Sequence, residues 1–70
     1  MSDKQGQIDN IKKSALGALD QKVRMSAINA LAEYGDDGIT PITEIVNDSI
    51  SSEVKQHGMD KITEIKSLKK

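Results

Sequence analysis

The chain has 70 residues, no cysteine, one aromatic side chain (Tyr34) and a formal net charge of −1. That length allows one small domain, and the lack of cysteine excludes disulfides and thiolate metal sites while suiting a reducing compartment such as the cytoplasm. With 36% apolar and 30% charged residues, the composition fits a solvated helical domain with an aliphatic core and argues against a disordered chain.

The opening stretch MSDKQGQIDN is polar and predicts neither a signal peptide nor a membrane span. Four helical segments are then expected in turn. The first covers roughly residues 4–17, with Ile8, Ile11, Ala15 and Leu19 near one stripe and Lys12 and Lys13 opposite. The second covers roughly 21–34, where Val23, Ala27, Ala30, Leu31 and Tyr34 follow the spacing of one helical face. Asp20 stands before it as an N-cap, and Gly35 after it as a residue able to take positive φ and stop the helix.

The third segment covers roughly 38–47, with Ile39, Ile42, Ile45 and Val46 apolar and Pro41 expected in its first turn. The fourth covers roughly 52–67, capped by Ser51 and striped by Val54, Gly58, Ile62, Ile65 and Leu68. Short connections make consecutive helices antiparallel neighbours. No segment alternates with period two, so no strand is expected.

The chain also echoes itself. A shift of 31 positions lays Ile8 on Ile39, Ile11 on Ile42, Ala15 on Val46, Leu19 on Ile50, Val23 on Val54, Arg24 on Lys55, Leu31 on Ile62 and Tyr34 on Ile65. Turn signals repeat with the core positions: Asp20 falls on Ser51, both caps, and Ala27 on Gly58, both small. Gly58 lowers helix propensity by about 1 kcal/mol relative to alanine, which points to close packing there. A fixed period of this size marks stacked repeats, each burying its apolar side against a neighbour. The expected fold is an all-α, α-α superhelix of four antiparallel helices.

Residues 20–35, DQKVRMSAINALAEYG, carry a resemblance. They resemble the first helix of a HEAT-type repeat, in the short HEAT-like variety named after phycobilisome lyases: Asp, then Val-Arg, then small and large apolar positions, then Gly, with a second helix opened by a proline such as Pro41. The resemblance covers residues 20–47 as one full repeat and residues 51–66 as the first helix of another, where Lys55 replaces the Arg and Gly58 the Ala. The first segment aligns with a second-type helix, so the chain amounts to about two repeats. The resemblance implies that Arg24 is a ladder residue touching the neighbouring repeat. By spacing alone, Asp20 and Arg24 are also four residues apart and able to pair across one turn, which makes the two a structural brace.

This register leaves an unpartnered helix at each end, whereas repeat stacks usually need about three units. Ile8, Ile11 and Leu16 on the first helix, and Met59, Ile62, Ile65 and Leu68 on the last, are therefore candidate contact residues for another chain. Charge is unevenly spread: residues 1–24 sum to +2, residues 25–60 to −6 and residues 61–70 to +3. Such a pattern ordinarily means only a solvated surface. If the chain self-associates, head-to-tail stacking brings one basic end against another, and this favours a two-fold dimer.

Signs of catalysis are few. His57 is the only histidine, and there is no glycine-rich phosphate loop or paired-histidine motif. Glu53, His57 and Asp60 share one helical face and are conceivable metal ligands, although a solvent-facing polar surface is the simpler reading. Asp36, Asp37 and Asp48 fit caps and turns rather than a calcium loop. Enzymes with related repeats do not transfer: deoxyhypusine hydroxylases use His-Glu pairs, but Gly58 follows His57; bilin lyases are much longer; HEAT-like DNA glycosylases need a basic groove. The lysines from Lys61 to Lys70 could touch phosphate non-specifically, but the low pI near 5.7 and the single aromatic argue against nucleic acid. The expectation is a cytoplasmic, non-catalytic protein-interaction or scaffold module with no cofactor, no metal and no membrane contact. An accessory subunit of an enzyme complex, and a weak nucleic-acid binder, are the alternatives.

Overall fold

A computed structural model describes residues 3–68, and within them the only secondary structure besides turns is α-helix. The helices are α1 (Lys4–Leu16), α2 (Gln21–Ala32), α3 (Asp36–Asp48) and α4 (Ser52–Ser67). Lys69 and Lys70 lie outside the described residues.

Local chemistry sets the boundaries. The Asp3 carboxylate accepts from Gly6 N–H and opens α1, Asp20 accepts from Lys22 N–H and opens α2, and Ser51 Oγ accepts from Val54 N–H and opens α4. Gly35 ends the α2–α3 turn at φ 66°, a conformation that favours glycine. The expected position of Pro41 is corrected: α3 begins at Asp36, so Pro41 lies in its second turn, where it cannot donate to the Asp37 carbonyl.

The packing is a stack of helix pairs and not a closed bundle. α1 lies on α2 and α3, α4 lies on α2 and α3, and α2 lies on α3, but α1 and α4 do not meet among the described residues. A closed up-and-down four-helix bundle brings its first and last helices together. Here each helix instead touches the next one and the next but one, as in a two-layer superhelix with α1 and α3 in one layer and α2 and α4 in the other. Cα extents of 32 × 30 × 15 Å describe the resulting flat slab.

The core runs through the centre of the slab: Ile8, Ala15, Ile28, Leu31, Ile42, Ile45, Val54 and Ile65 are buried. At Gly58, α4 comes so close to its neighbours that an added Cβ would run into Val46 Cγ2 and stand 3.4 Å from both Ile28 Cδ1 and Ile42 Cγ2. The stripe expected on α2 is rotated by one position. Its buried residues are Arg24, Ile28 and Leu31, whereas Val23 is 42% exposed. An apolar tally skips Arg24 because it is charged, and so misplaces the centre of the buried arc.

Candidate functional site

Arg24 organises one edge of the slab, where α1 and α3 end and α2 and α4 begin. It is only 7% exposed. Its Nε donates to the carbonyls of Ala15 (3.1 Å) and Ala18 (2.8 Å). Nη1 donates to Asp48 O (3.1 Å) and Ser49 Oγ (2.9 Å), and Nη2 to Leu16 O (3.4 Å) and Asp48 Oδ2 (3.0 Å). The guanidinium thus satisfies the free carbonyls at the C-termini of two helices, where positive charge is favoured. Its planar fork of five donors makes this possible, and a lysine has no equivalent geometry. Ser49 Oγ donates its own hydrogen bond to Ile45 O at 2.6 Å, and no buried side-chain N or O among the described residues lacks a partner.

The brace expected between Asp20 and Arg24 is therefore corrected. Asp20 spends its carboxylate on the Lys22 N–H at 2.8 Å, and Arg24 pairs with Asp48, 24 residues away. A sequence separation of that size has no local spacing signal.

Beside Arg24 lies an open groove of about 350 Å³, with Val54 and Ser49 in its floor and Leu19 and Ile50 on its rim. Both rim residues are 97% exposed. They are the pair that the 31-residue shift lays on one another, and each stands just before an N-cap, outside its helix. A residue there can fold back on the first turn as a hydrophobic staple, but the residues one turn in are Arg24 and Lys55, and neither Leu19 nor Ile50 is covered.

The seven candidate contact residues divide three ways. Ile8 (1% exposed) and Ile65 (6% exposed) belong to the chain's own core and are not available to a partner, which corrects their placement on open ends. Ile11, Leu16 and Ile62 are half-buried and pack against that core. Met59 (57%) and Leu68 (87%) are exposed. Ile8 and Ile65 are buried because α1 and α4 each press on both central helices, so one flank of each end helix is already covered.

The possible metal ligands are not brought together. His57 Nε2 lies 2.7 Å from Asn29 Oδ1, Glu53 accepts from Gln21 Nε2, and Asp60 accepts from Gln56 Nε2 at 2.9 Å. No group of three His, Cys, Asp or Glu side chains able to hold an ion occurs among the described residues. Of the lysines near the end, Lys61 pairs with Glu64 at 3.6 Å.

Across the other layer, Lys4 meets Asp37 at 2.6 Å and Lys12 meets Glu44 at 3.1 Å, which ties basic α1 to acidic α3. The hydrogen bond and charge of Asp37 hold the exposed Lys4 ammonium above the ordinary lysine range. Tyr34, packed against the core, donates its hydroxyl to Gln7 Oε1 at 2.9 Å. No described helix is long and apolar enough to cross a membrane. Compared with protein-family models, curated proteins and solved structures, the chain matches none.

Proposed function

We propose that this chain is a non-catalytic protein-protein interaction module of the HEAT-like kind, working in the cytoplasm. The two-layer stack supports the reading, and so does Arg24 bridging from its own helix to the ends of its two neighbours, as a ladder residue does. The observation that carries it is the pair Leu19 and Ile50. Two branched aliphatic side chains at repeat-equivalent positions, each 97% exposed, stand on either side of one open groove. Leaving them in water forgoes roughly 1.5–3 kcal/mol each relative to burial, and a partner presenting apolar side chains gains that term. Nothing inside the chain needs them, so they can change without harming the fold.

The test compares wild type with a Leu19→Ser/Ile50→Ser double variant as tagged baits in extract of the native host. Both keep the same melting profile, while the variant retains its main partner at least about tenfold less, a change of roughly 1.4 kcal/mol. A His57→Ala bait retains it in full. Equal capture by wild type and the double variant would overturn the reading.

A further inference from the structure

We propose that copies of this chain stack head to tail, with the α3–α4 face of one molecule seated on the α1–α2 face of the next. The proposal rests on the interaction-module reading and names a second copy as an occupant of the slab's open ends. It starts from the contact that joins the two units inside the chain. Ile28 on α2 is wholly buried and reaches the notch over the small residue Gly58 on α4, which Val46 and Ile42 of α3 also line; Val54, one turn before Gly58, is buried too. The 31-residue shift carries Ile28 onto Met59, Gly58 onto Ala27 and Val54 onto Val23. Met59 is 57% exposed and Val23 42% exposed. One end of the slab therefore shows the projecting side chain of this contact without its hole. The opposite end shows the hole, again built on a small residue, without the side chain that fills it.

Helix order permits the match. The layers alternate from α1 to α4, so the α1 of a following copy takes the place that a fifth helix would take. Shape, not charge, carries the match. Three acids of α3 turn toward their own chain: Asp37 pairs with Lys4, Glu44 with Lys12 and Asp48 with Arg24. In the stack, the next α1 meets the far side of α3, where the 31-residue shift carries Ile8 and Lys12 onto Ile39 and Thr43. Charge therefore does not set stacking above the two-fold dimer expected from sequence; the fit of side chain to notch does. A two-fold pairing through α4 places Met59 against Met59, with no small residue to receive either. A contact of this type joins unlike faces and continues until something caps it.

The test uses the full chain as wild type, Val23→Glu and Met59→Glu. Both positions are partly exposed in the single chain, and the far-UV helical signal verifies folding; Val23→Lys and Met59→Lys replace any glutamate variant that loses it. From ~10 µM to ~1 mM, where weak interfaces populate, wild type sediments with a weight-average mass that rises past twice the 7.6 kDa chain. Each variant alone stays at the mass of one chain. An equimolar mixture of the two returns to twice that mass and no further, because each supplies the face the other has lost. Wild type that stays at one chain throughout, a mixture that fails to pair, or a wild-type species that stops at two chains and is lost in Met59→Glu but kept in Val23→Glu would each overturn stacking. Those results leave the module reading intact, since that is decided by capture through Leu19 and Ile50.

Discussion

The helices α2 and α4 share one pattern and live in different surroundings. Each opens on a side-chain cap, carries a basic residue one turn in (Arg24 or Lys55) and then a large apolar residue one turn later (Ile28 or Met59). On α2 the basic and apolar residues are buried, with helices packed on either side; on α4 both are exposed. The difference shows that in a stacked architecture a residue's role depends on whether another unit follows it, and not on its own helix. Burial is a property of the stack, while capping is a property of the segment.

Paired substitutions at equivalent positions break or sharpen this contrast. The largest gap is expected between Arg24→Ala and Lys55→Ala. The first strips the carbonyls at two helix ends of their donor, at about 1–3 kcal/mol for each buried group left unpaired, which totals about 3–5 kcal/mol. The second changes an exposed side chain and stays within about 0.5 kcal/mol. For a domain whose whole stability is about 0.05–0.15 kcal/mol per residue, Arg24→Ala sits at the edge of unfolding in urea, and Lys55→Ala melts like wild type.

Ile28→Ala against Met59→Ala comes next. Truncating the buried Ile28 costs about 2–5 kcal/mol through lost transfer and the cavity left behind, and Met59→Ala in dilute solution costs less than about 0.5 kcal/mol. If chemical denaturation at low concentration found Met59→Ala as damaging as Ile28→Ala, the claim that α4 presents an open face would be wrong.

The caps reverse the pattern. Asp20→Ala and Ser51→Ala are each expected to cost about 1 kcal/mol, with Ser51 the smaller because its bond to Val54 N–H is long at 3.4 Å. Thermal melts of the two variants measure both. Similar losses here, beside unequal ones at Arg24/Lys55 and Ile28/Met59, separate local from stacking effects.

The smallest effect is electrostatic. The Lys4 ammonium titrates above the ordinary lysine range because it is hydrogen-bonded to Asp37. Its contribution is complete below the unfolded lysine value and is lost as pH rises through the raised folded one. NMR titration of the Lys4 side chain, with Asp37→Asn as control, should return it to the ordinary value. As an exposed pair, it leaves the melting temperature at neutral pH almost unchanged.

These contrasts also explain what was legible in the chain. Caps are short-range, so Asp20 and Ser51 could be read directly, and the helix ends fell within two residues of expectation. The 31-residue echo carried the stacked all-helical fold, because periodic burial leaves periodic apolar residues. Contacts across long separations left no trace: Arg24 to Asp48 was hidden behind the nearer Asp20. Periodicity also overreached at a helix end, drawing Leu19 onto the α1 stripe although the backbone has already turned away. Ile8 and Ile65 were mistaken for open positions because counting helices at each end ignores that an end helix still presses on two neighbours. The signal that marks Met59 and Val23 was present in the echo itself, as residues whose equivalents are Ile28 and Val54. Only the burial of those equivalents gave it meaning.

The central claim is that the slab has two unlike, complementary open faces. Its most direct test is a comparison of amide chemical shifts at ~10 µM and ~1 mM, a range that spans weak self-association. The account predicts concentration-dependent shifts in two separate patches, one around Val23 and Ala27 and one around Lys55 and Met59, with Ile28 and Leu31 unmoved. Shifts confined to one of the two patches, or no shifts at all, would contradict it.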